Sequence, residues 1–186
     1  WSQLSATALK NEDGRPYKAV GLLADIDDQK RATQHLQEEA QRDGLTRLYN
    51  KTISRQMIET LLNDMAAEEK AVMFIIDMDN FKAINDTCGH MFGDIVLQEF
   101  SGDLVKLFPS DDVIARIGGD EFMVFMKNIP DESIVKARAK RIIKAASRTF
   151  KDNTGALKPS CSIGIAFYPK DGKNYEELFR KSDEAL

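Results

Sequence analysis

The chain has 186 residues, 42% of them hydrophobic and 30% charged, and a formal net charge of −4. That length holds one full domain plus a smaller piece, with enough apolar residues for a real core. The acidic balance argues against a non-specific nucleic-acid binder, two distant cysteines (Cys88 and Cys161) against a disulfide framework, and the lack of a long apolar run against a membrane span.

In chain order, Trp1–Ala24 reads as two strands. Ser2, Leu4, Ala6 and Ala8 alternate, Tyr17–Leu23 is apolar-rich, and Asn11-Glu12-Asp13-Gly14-Arg15-Pro16 between them is strong turn chemistry. A lone hairpin is marginal in water, so this one is expected to belong to a larger sheet. Asp27–Gln41 is polar, with a thin apolar stripe at Ala32, Leu36 and Ala40 that predicts a helix. Two readings stand side by side: a solvated connector, or a signalling helix that pairs with a copy of itself.

From Arg42 onward the pattern alternates. A helix is predicted after Asp43-Gly44-Leu45-Thr46, with Leu48, Ile53, Met57, Ile58, Leu61 and Leu62 on its apolar face. The continuous apolar run Ala71–Ile76 predicts a strand buried on both faces. Ile95–Leu107 reads as a helix, Val113–Ile117 and Phe122–Met126 as strands around Gly118-Gly119-Asp120-Glu121, Asp131–Phe150 as a helix, Ser160–Phe167 as a strand and Tyr175–Leu186 as a helix. The fold class is therefore α/β (α+β): a β-α-β-β-α-β core in the ferredoxin-like order, preceded by a hairpin and a linker helix. That order sets the first and third strands side by side in the middle of an antiparallel sheet.

The chemistry gathers at the ends of those two strands. Asp77-Met78-Asp79 closes the buried strand, and an acid emerging from a sheet centre is costly unless something pairs with it. The Gly118-Gly119 pair permits positive φ and a tight reversal, and leaves room for a ligand against the backbone. A lone Asp-x-Asp is usually a turn or a cap, and a lone Gly-Gly-Asp-Glu usually just a hairpin; the topology brings both to one sheet edge. Carboxylates crowded there repel one another unless a divalent cation neutralises them, and oxygen-only ligands favour Mg²⁺ or Mn²⁺ over Zn²⁺. The polar segment Asn80 to Asp94 comes next, broken by Gly89 and Gly93. Asn85 and Asp94 suit a purine edge, the Asp94 carboxylate accepting from N1–H and the 2-amino group of guanine, which adenine does not offer. Lys82 can meet phosphate as a point charge. His90 by itself is more often structural and is a minor candidate.

These segments resemble the GGDEF family of diguanylate cyclases. Arg116-Ile117-Gly118-Gly119-Asp120-Glu121-Phe122 carries the signature. Asp43-Gly44-Leu45-Thr46-Arg47-Leu48-Tyr49-Asn50 resembles the opening motif, and Asp77 to Asp94 the metal and guanine segment. Ser162-Ile163-Gly164-Ile165-Ala166 looks like the late strand. The resemblance implies a polymerase-palm-like fold and the condensation of two GTP into cyclic di-GMP with release of two pyrophosphates, by a homodimer whose two domains face each other. It implies two Mg²⁺ (or Mn²⁺) ions held by Asp77, the Met78 carbonyl and Asp120, and guanine read by Asn85 and Asp94. It implies phosphate contact by Lys82 and by N–H groups around Phe81, Lys82 and Gly119. Glu121 would assist the attacking 3′-hydroxyl or support a metal.

Two departures stand out. The family's inhibitory Arg-x-x-Asp corresponds to Pro109-Ser110-Asp111-Asp112, so Asp112 is present but proline replaces the arginine and cannot fork to a phosphate. Weak or absent product inhibition is the expectation. The family's late basic phosphate-contacting segment would lie beyond Leu186. A smaller difference is Lys51, where the family often has arginine. Residues 1–28 resemble the end of a PAS sensor domain, with Asp25-Ile26-Asp27-Asp28-Gln29-Lys30 as its exit, 29–41 the linker helix and 42–186 the catalytic domain. That division expects an upstream sensor in cis and a cytoplasmic location, with an anchor before Trp1 left open. The alternative to a working cyclase is a catalytically silent GTP-binding module; a weaker one, ATP-dependent transfer, is opposed by Asp94.

Overall fold

The computed structural model describes residues 1–66, 68–152 and 155–186, with backbone alone at Tyr17, Gln34, Gln37, Lys151, Asp152, Gly155 and Ala156. It divides into two units, Trp1–Ala40 and Gln41–Leu186. In the first, β1 (Ser2–Lys10) and β2 (Pro16–Asp25) form an antiparallel hairpin with Leu4 opposite Leu23. Asn11 closes its turn, its Oδ1 accepting from the Arg15 N–H at 2.8 Å. Leu4 and Leu22 are each 70% exposed, so this hairpin buries little of its own apolar surface. The helix α1 (Asp27–Gln41) opens with Asp27 and Asp28, acids at the positive end of the helix dipole, and the Lys30 ammonium lies 3.8 Å from the Trp1 ring centroid. Leu36, in the middle of the apolar stripe, is exposed.

The second unit starts differently from the expectation. Asp43 to Leu48 is a closed turn instead of a first helical turn. The Asp43 N–H donates to the Leu48 carbonyl at 2.8 Å, and the Asp43 side chain accepts from the Thr46 N–H and hydroxyl. Leu48 is buried in this turn, ahead of the helix it is predicted to join. A two-residue strand, β3 (Tyr49–Asn50), comes next, and then α2 (Lys51–Asp64), capped by Asn50 Oδ1 accepting from the Ile53 N–H.

The rest of the core is β4 (Ala71–Met78), α3 (Phe81–Cys88), α4 (His90–Leu107), β5 (Val113–Arg116), β6 (Glu121–Met126), α5 (Glu132–Ala146), β9 (Cys161–Tyr168) and α6 (Tyr175–Glu184). Between α5 and β9 lies a small hairpin, β7 (Phe150–Asp152) with β8 (Gly155–Leu157), so the predicted helix to Phe150 stops at Ala146. The polar, glycine-broken segment after Asp79 folds as α3 and the first turn of α4. The sheet order is β3-β5-β6-β4-β9, the split β-α-β arrangement with one added edge strand, β3, parallel to β5.

Two-sided cover explains the apolar run. Val72, Phe74, Ile76 and Met78 face one core with Val96, Leu97, Phe100 and Leu104 of α4 and Val135 and Ile142 of α5. Ala71, Met73 and Ile75 face the other, with Ile58 and Leu62 of α2 and Tyr175 and Leu178 of α6. Strand alternation thus sends successive residues of β4 into opposite layers. No helix among the described residues is long and apolar enough to cross a membrane. Phe74 is fully buried on this strand and meets the Phe108 ring edge-on at 6.0 Å. Phe74→Ala is expected to cost about 4 kcal/mol and to lower the melting temperature by about 10 °C, measured by circular dichroism.

Candidate functional site

Where β4 runs out of sheet, its last residues lose apolar cover. Asp77 stands directly opposite Glu121 of β6, and the Met78 N–H donates to the Asp120 carbonyl at 3.3 Å. Asp79 is next, its N–H bonded to the Ser160 carbonyl. Its carboxylate accepts from the hydroxyls of Ser160, just before β9, and of Ser162 within it, the latter at 2.8 Å.

The signature hairpin is tight for a different reason than expected. Neither Gly118 nor Gly119 has a positive φ. Gly118 leaves space that Glu121 fills: a Cβ there would fall 2.3 Å from Oε2 of Glu121, whose side chain folds back over it. The N–H groups of Ile117 and Gly118 both donate to the Glu121 carbonyl. Gly119 is open to solvent and nothing stands where its side chain would be.

Arg116 brackets this hairpin, and its weight is not evident from the motif alone. Its Nε and Nη2 donate to the Gly119 carbonyl at 3.1 and 2.6 Å, and its Nη1 meets Asp43 Oδ1 at 3.0 Å. Burial alone would raise the Asp43 carboxyl; the Thr46 hydrogen bonds and the Arg116 guanidinium outweigh it and hold the group below its ordinary value. The signal in sequence is the pairing of an Asp in the opening turn with an Arg two residues before the glycines, visible only once both are placed at one sheet edge.

Across from the hairpin, α3 begins at Asn80, a left-handed residue whose side chain makes no cap bond. The first N–H groups of α3, at Phe81 and Lys82, therefore keep their donors and the positive end of the helix dipole. A cleft of about 450 Å³ lies between these parts. It is lined by Phe81, Lys82, Asn85 and Asp86 of α3, His90, Asp94 and Leu97 of α4, and Arg116, Gly119 and Asp120 of the hairpin. Seven of the predicted site residues thus share one cavity, while Asp77, Met78 and Glu121 do not line it.

The carboxylates at this edge crowd one another. Burial raises the Asp77 carboxyl above its ordinary value, and the charges of Asp120, Glu121 and Asp79 add to the rise. None of the ion pairs among the described residues takes in Asp77, Asp120 or Glu121, and Arg116 is spent on Asp43. Among the described residues no three His, Cys, Asp or Glu side chains form a ready cage. The candidate set of Asp77, Asp120 and the Met78 carbonyl is two carboxylates and a backbone oxygen. An all-oxygen set with unrelieved repulsion fits Mg²⁺, which keeps part of its own water. Cys161 is paired in register with Met78, and burial pushes its thiol up to about 12.

Asp112 sits apart from this cleft. It is 8% exposed, Oδ1 accepts from the Lys127 N–H at 3.1 Å, and Oδ2 is buried with no partner. It lines a separate cavity of about 640 Å³ against α2, and the Pro109 carbonyl accepts its N–H. Burial raises its carboxyl.

Residues 40–186 match the family described as "Diguanylate cyclase, GGDEF domain". The chain is 35% identical over 162 residues to the cyclic di-GMP phosphodiesterase PdeR of Escherichia coli, covering 87% of this chain and 24% of that protein. It is 34% identical over 185 residues to the probable diguanylate cyclase DgcE of the same organism, covering 97% of this chain and 16% of that protein. The chain therefore spans a quarter or less of the length of these two relatives. Among solved structures, a sensory box/GGDEF family protein from Caulobacter crescentus is similar with a TM-score of 0.72 and 32% identity, over 78% of this chain and 95% of that one.

The electrostatics make two outcomes measurable. A carboxyl whose folded pKa is depressed adds stability above its unfolded value, and that stability is lost as pH falls through the folded value. Asp43→Asn is therefore expected to cost up to about 1 kcal/mol at pH 7, with the gap to wild type closing as pH drops below the ordinary 3.8, read by urea unfolding at stepped pH. Asp77→Asn removes repulsion and is expected to raise the melting temperature in EDTA. Added Mg²⁺ is expected to raise the melting temperature of wild type and not that of the variant.

Proposed function

The chain belongs to the GGDEF family, and on that premise we propose that it is a diguanylate cyclase domain, condensing two GTP into cyclic di-GMP with release of two pyrophosphates as a homodimer. The observation that carries the reading is the single cleft in which an open helix N-terminus, a base-edge pair and the signature acid meet.

Asp94 is the acceptor for guanine N1–H and its 2-amino group, and Asn85 beside it supplies an amide. The N–H groups of Phe81 and Lys82 point along the helix dipole at the triphosphate, with the Lys82 ammonium as a local cation. His90 lines the base end as a minor contact. Gly119, without a side chain, lets phosphate approach the hairpin backbone, which Arg116 holds in place through the Gly119 carbonyl. Asp77, the Met78 carbonyl and Asp120 would hold Mg²⁺, which when bound neutralises the triphosphate, polarises the α-phosphate and sharpens the attacking 3′-oxygen. Glu121 accepts the hydrogen of the 3′-hydroxyl or supports a second cation.

In each step a 3′-oxygen of one GTP bonds to the α-phosphorus of the other, the bond to pyrophosphate breaks, and the hydroxyl proton leaves. One domain binds one GTP, so two domains must face each other, and positioning is the larger part of what the protein supplies. We assign 1–28 to the tail of a PAS-like sensor, 29–41 to the linker helix and 42–186 to the catalytic domain, with the sensor setting how two copies meet.

The test is incubation of the purified chain with GTP and Mg²⁺ and chromatography of the products, with Asp120→Ala as the control. Cyclic di-GMP and pyrophosphate are expected from wild type, with the variant slowed by at least about 100-fold. Added cyclic di-GMP is expected to leave the initial rate unchanged, since Pro109 provides no guanidinium beside Asp112. GTP consumed without cyclic product would overturn the reading, and GTP bound but never consumed by a dimer would mark a regulatory module instead.

A further inference from the structure

Asn85 carries an unexplained polar atom. Its Oδ1 is buried and has no hydrogen-bond partner, although the residue lines the cleft. The atom rests against Gly93 in the first turns of α4. A Cβ at position 93 would lie 1.9 Å from Asn85 Oδ1, and 3.1 Å from both Asn85 Cγ and Phe81 Cζ. Any side chain there collides with the carboxamide before it meets anything else. Glycine is a poor helix former, so this position gives up helix propensity for space.

We propose that Gly93 is a specificity-determining residue: the notch left by its missing side chain is the space the Asn85 carboxamide occupies, and so decides whether that amide can sit in the cleft with Asp94. The inference rests on the reading that Asn85 and Asp94 meet guanine.

A carboxamide is planar, with its acceptor and donor ends on opposite sides. Held in the cleft with Asp94, which has only acceptors when ionised, the amide supplies the donor that the carboxylate lacks. Pushed out by a side chain at 93, it leaves Asp94 alone to meet the base, and the donor for guanine's acceptors is gone. A polar site that rejects the wrong base does so because its own groups are left unpaired. The notch thus acts at one remove: Gly93 touches no nucleotide, and it is a positioning residue for Asn85.

The clash falls on the far end of a flexible side chain, so Gly93→Ala is expected to fold, displacing the amide and sparing the backbone. The experiment is equilibrium binding of GTP and of ATP, each with Mg²⁺, to wild type, Gly93→Ala, Asn85→Ala and the double variant, with a thermal melt of each. G93A is expected to weaken GTP binding by about 10-fold or more and leave ATP binding unchanged, with a melting temperature at or above wild type. In the double variant GTP binding is expected to be no weaker than in N85A, because the substitution at 93 acts through the amide that is already absent. A GTP-selective wild type with G93A unaffected overturns the inference alone, as does a double variant in which the two losses add. A wild-type chain that binds GTP no better than ATP overturns the guanine reading and this inference with it. Should G93A fail to fold, the melts decide: recovery of the wild-type melting temperature in the double variant supports a clash confined to Asn85, and no recovery overturns it.

Discussion

The architecture depends on one strand being covered on both faces and then running out of cover. From Ala71 to Ile76 every side chain of β4 is fully buried, between two layers of helices and between β6 and β9. Such a strand has no freedom of register, since a slip of one residue would exchange the contents of the two cores. Its end is therefore fixed in three dimensions, and the residue after Ile76 is delivered to a fixed place. That residue is Asp77. A desolvated carboxylate is a poor choice for stability, and its neighbours Asp120 and Glu121 make it worse. The apolar strand behind it holds it there regardless.

The same rigidity is passed to the hairpin by Arg116. That side chain ties the Gly119 carbonyl to Asp43, more than 70 residues earlier in the chain. The opening turn is therefore a brace for the signature loop, and its own helix begins only after Asn50. Because the tie is part-buried and charged, it favours one hairpin geometry over the alternatives open to a glycine pair.

Much of this is legible in the amino-acid order. The uninterrupted apolar run predicts β4, and the spacing of strands and helices predicts the split β-α-β order and the arrival of Asp77 and the Gly118-Gly119-Asp120-Glu121 hairpin at one sheet edge. The differences have physical causes. α3 buries only Phe81 and Ile84 in eight residues, too few for a periodic signal, and Gly89 directly after it and Gly93 beyond resemble loop punctuation. β3 exists because β5 pairs with it, a fact no local pattern carries. The helix expected directly after Asp43 starts later, because the side chain of Asp43 competes with helical bonding by closing a turn on Thr46. The signature glycines suggest positive φ, whereas the structure uses the first for the bulk of Glu121 and leaves the second bare. Composition cannot distinguish these two uses of glycine.

The serine clamp on Asp79 divides the Asp-x-Asp pair into unlike members. Each oxygen of Asp79 accepts a serine hydroxyl, from Ser160 just before β9 and from Ser162 within it, so its carboxylate is tied to that strand. Its charge is not removed by that bonding, and it still acts on Asp77. The chain therefore keeps a tethered anion beside the site, one whose charge sharpens its neighbour's appetite for a cation.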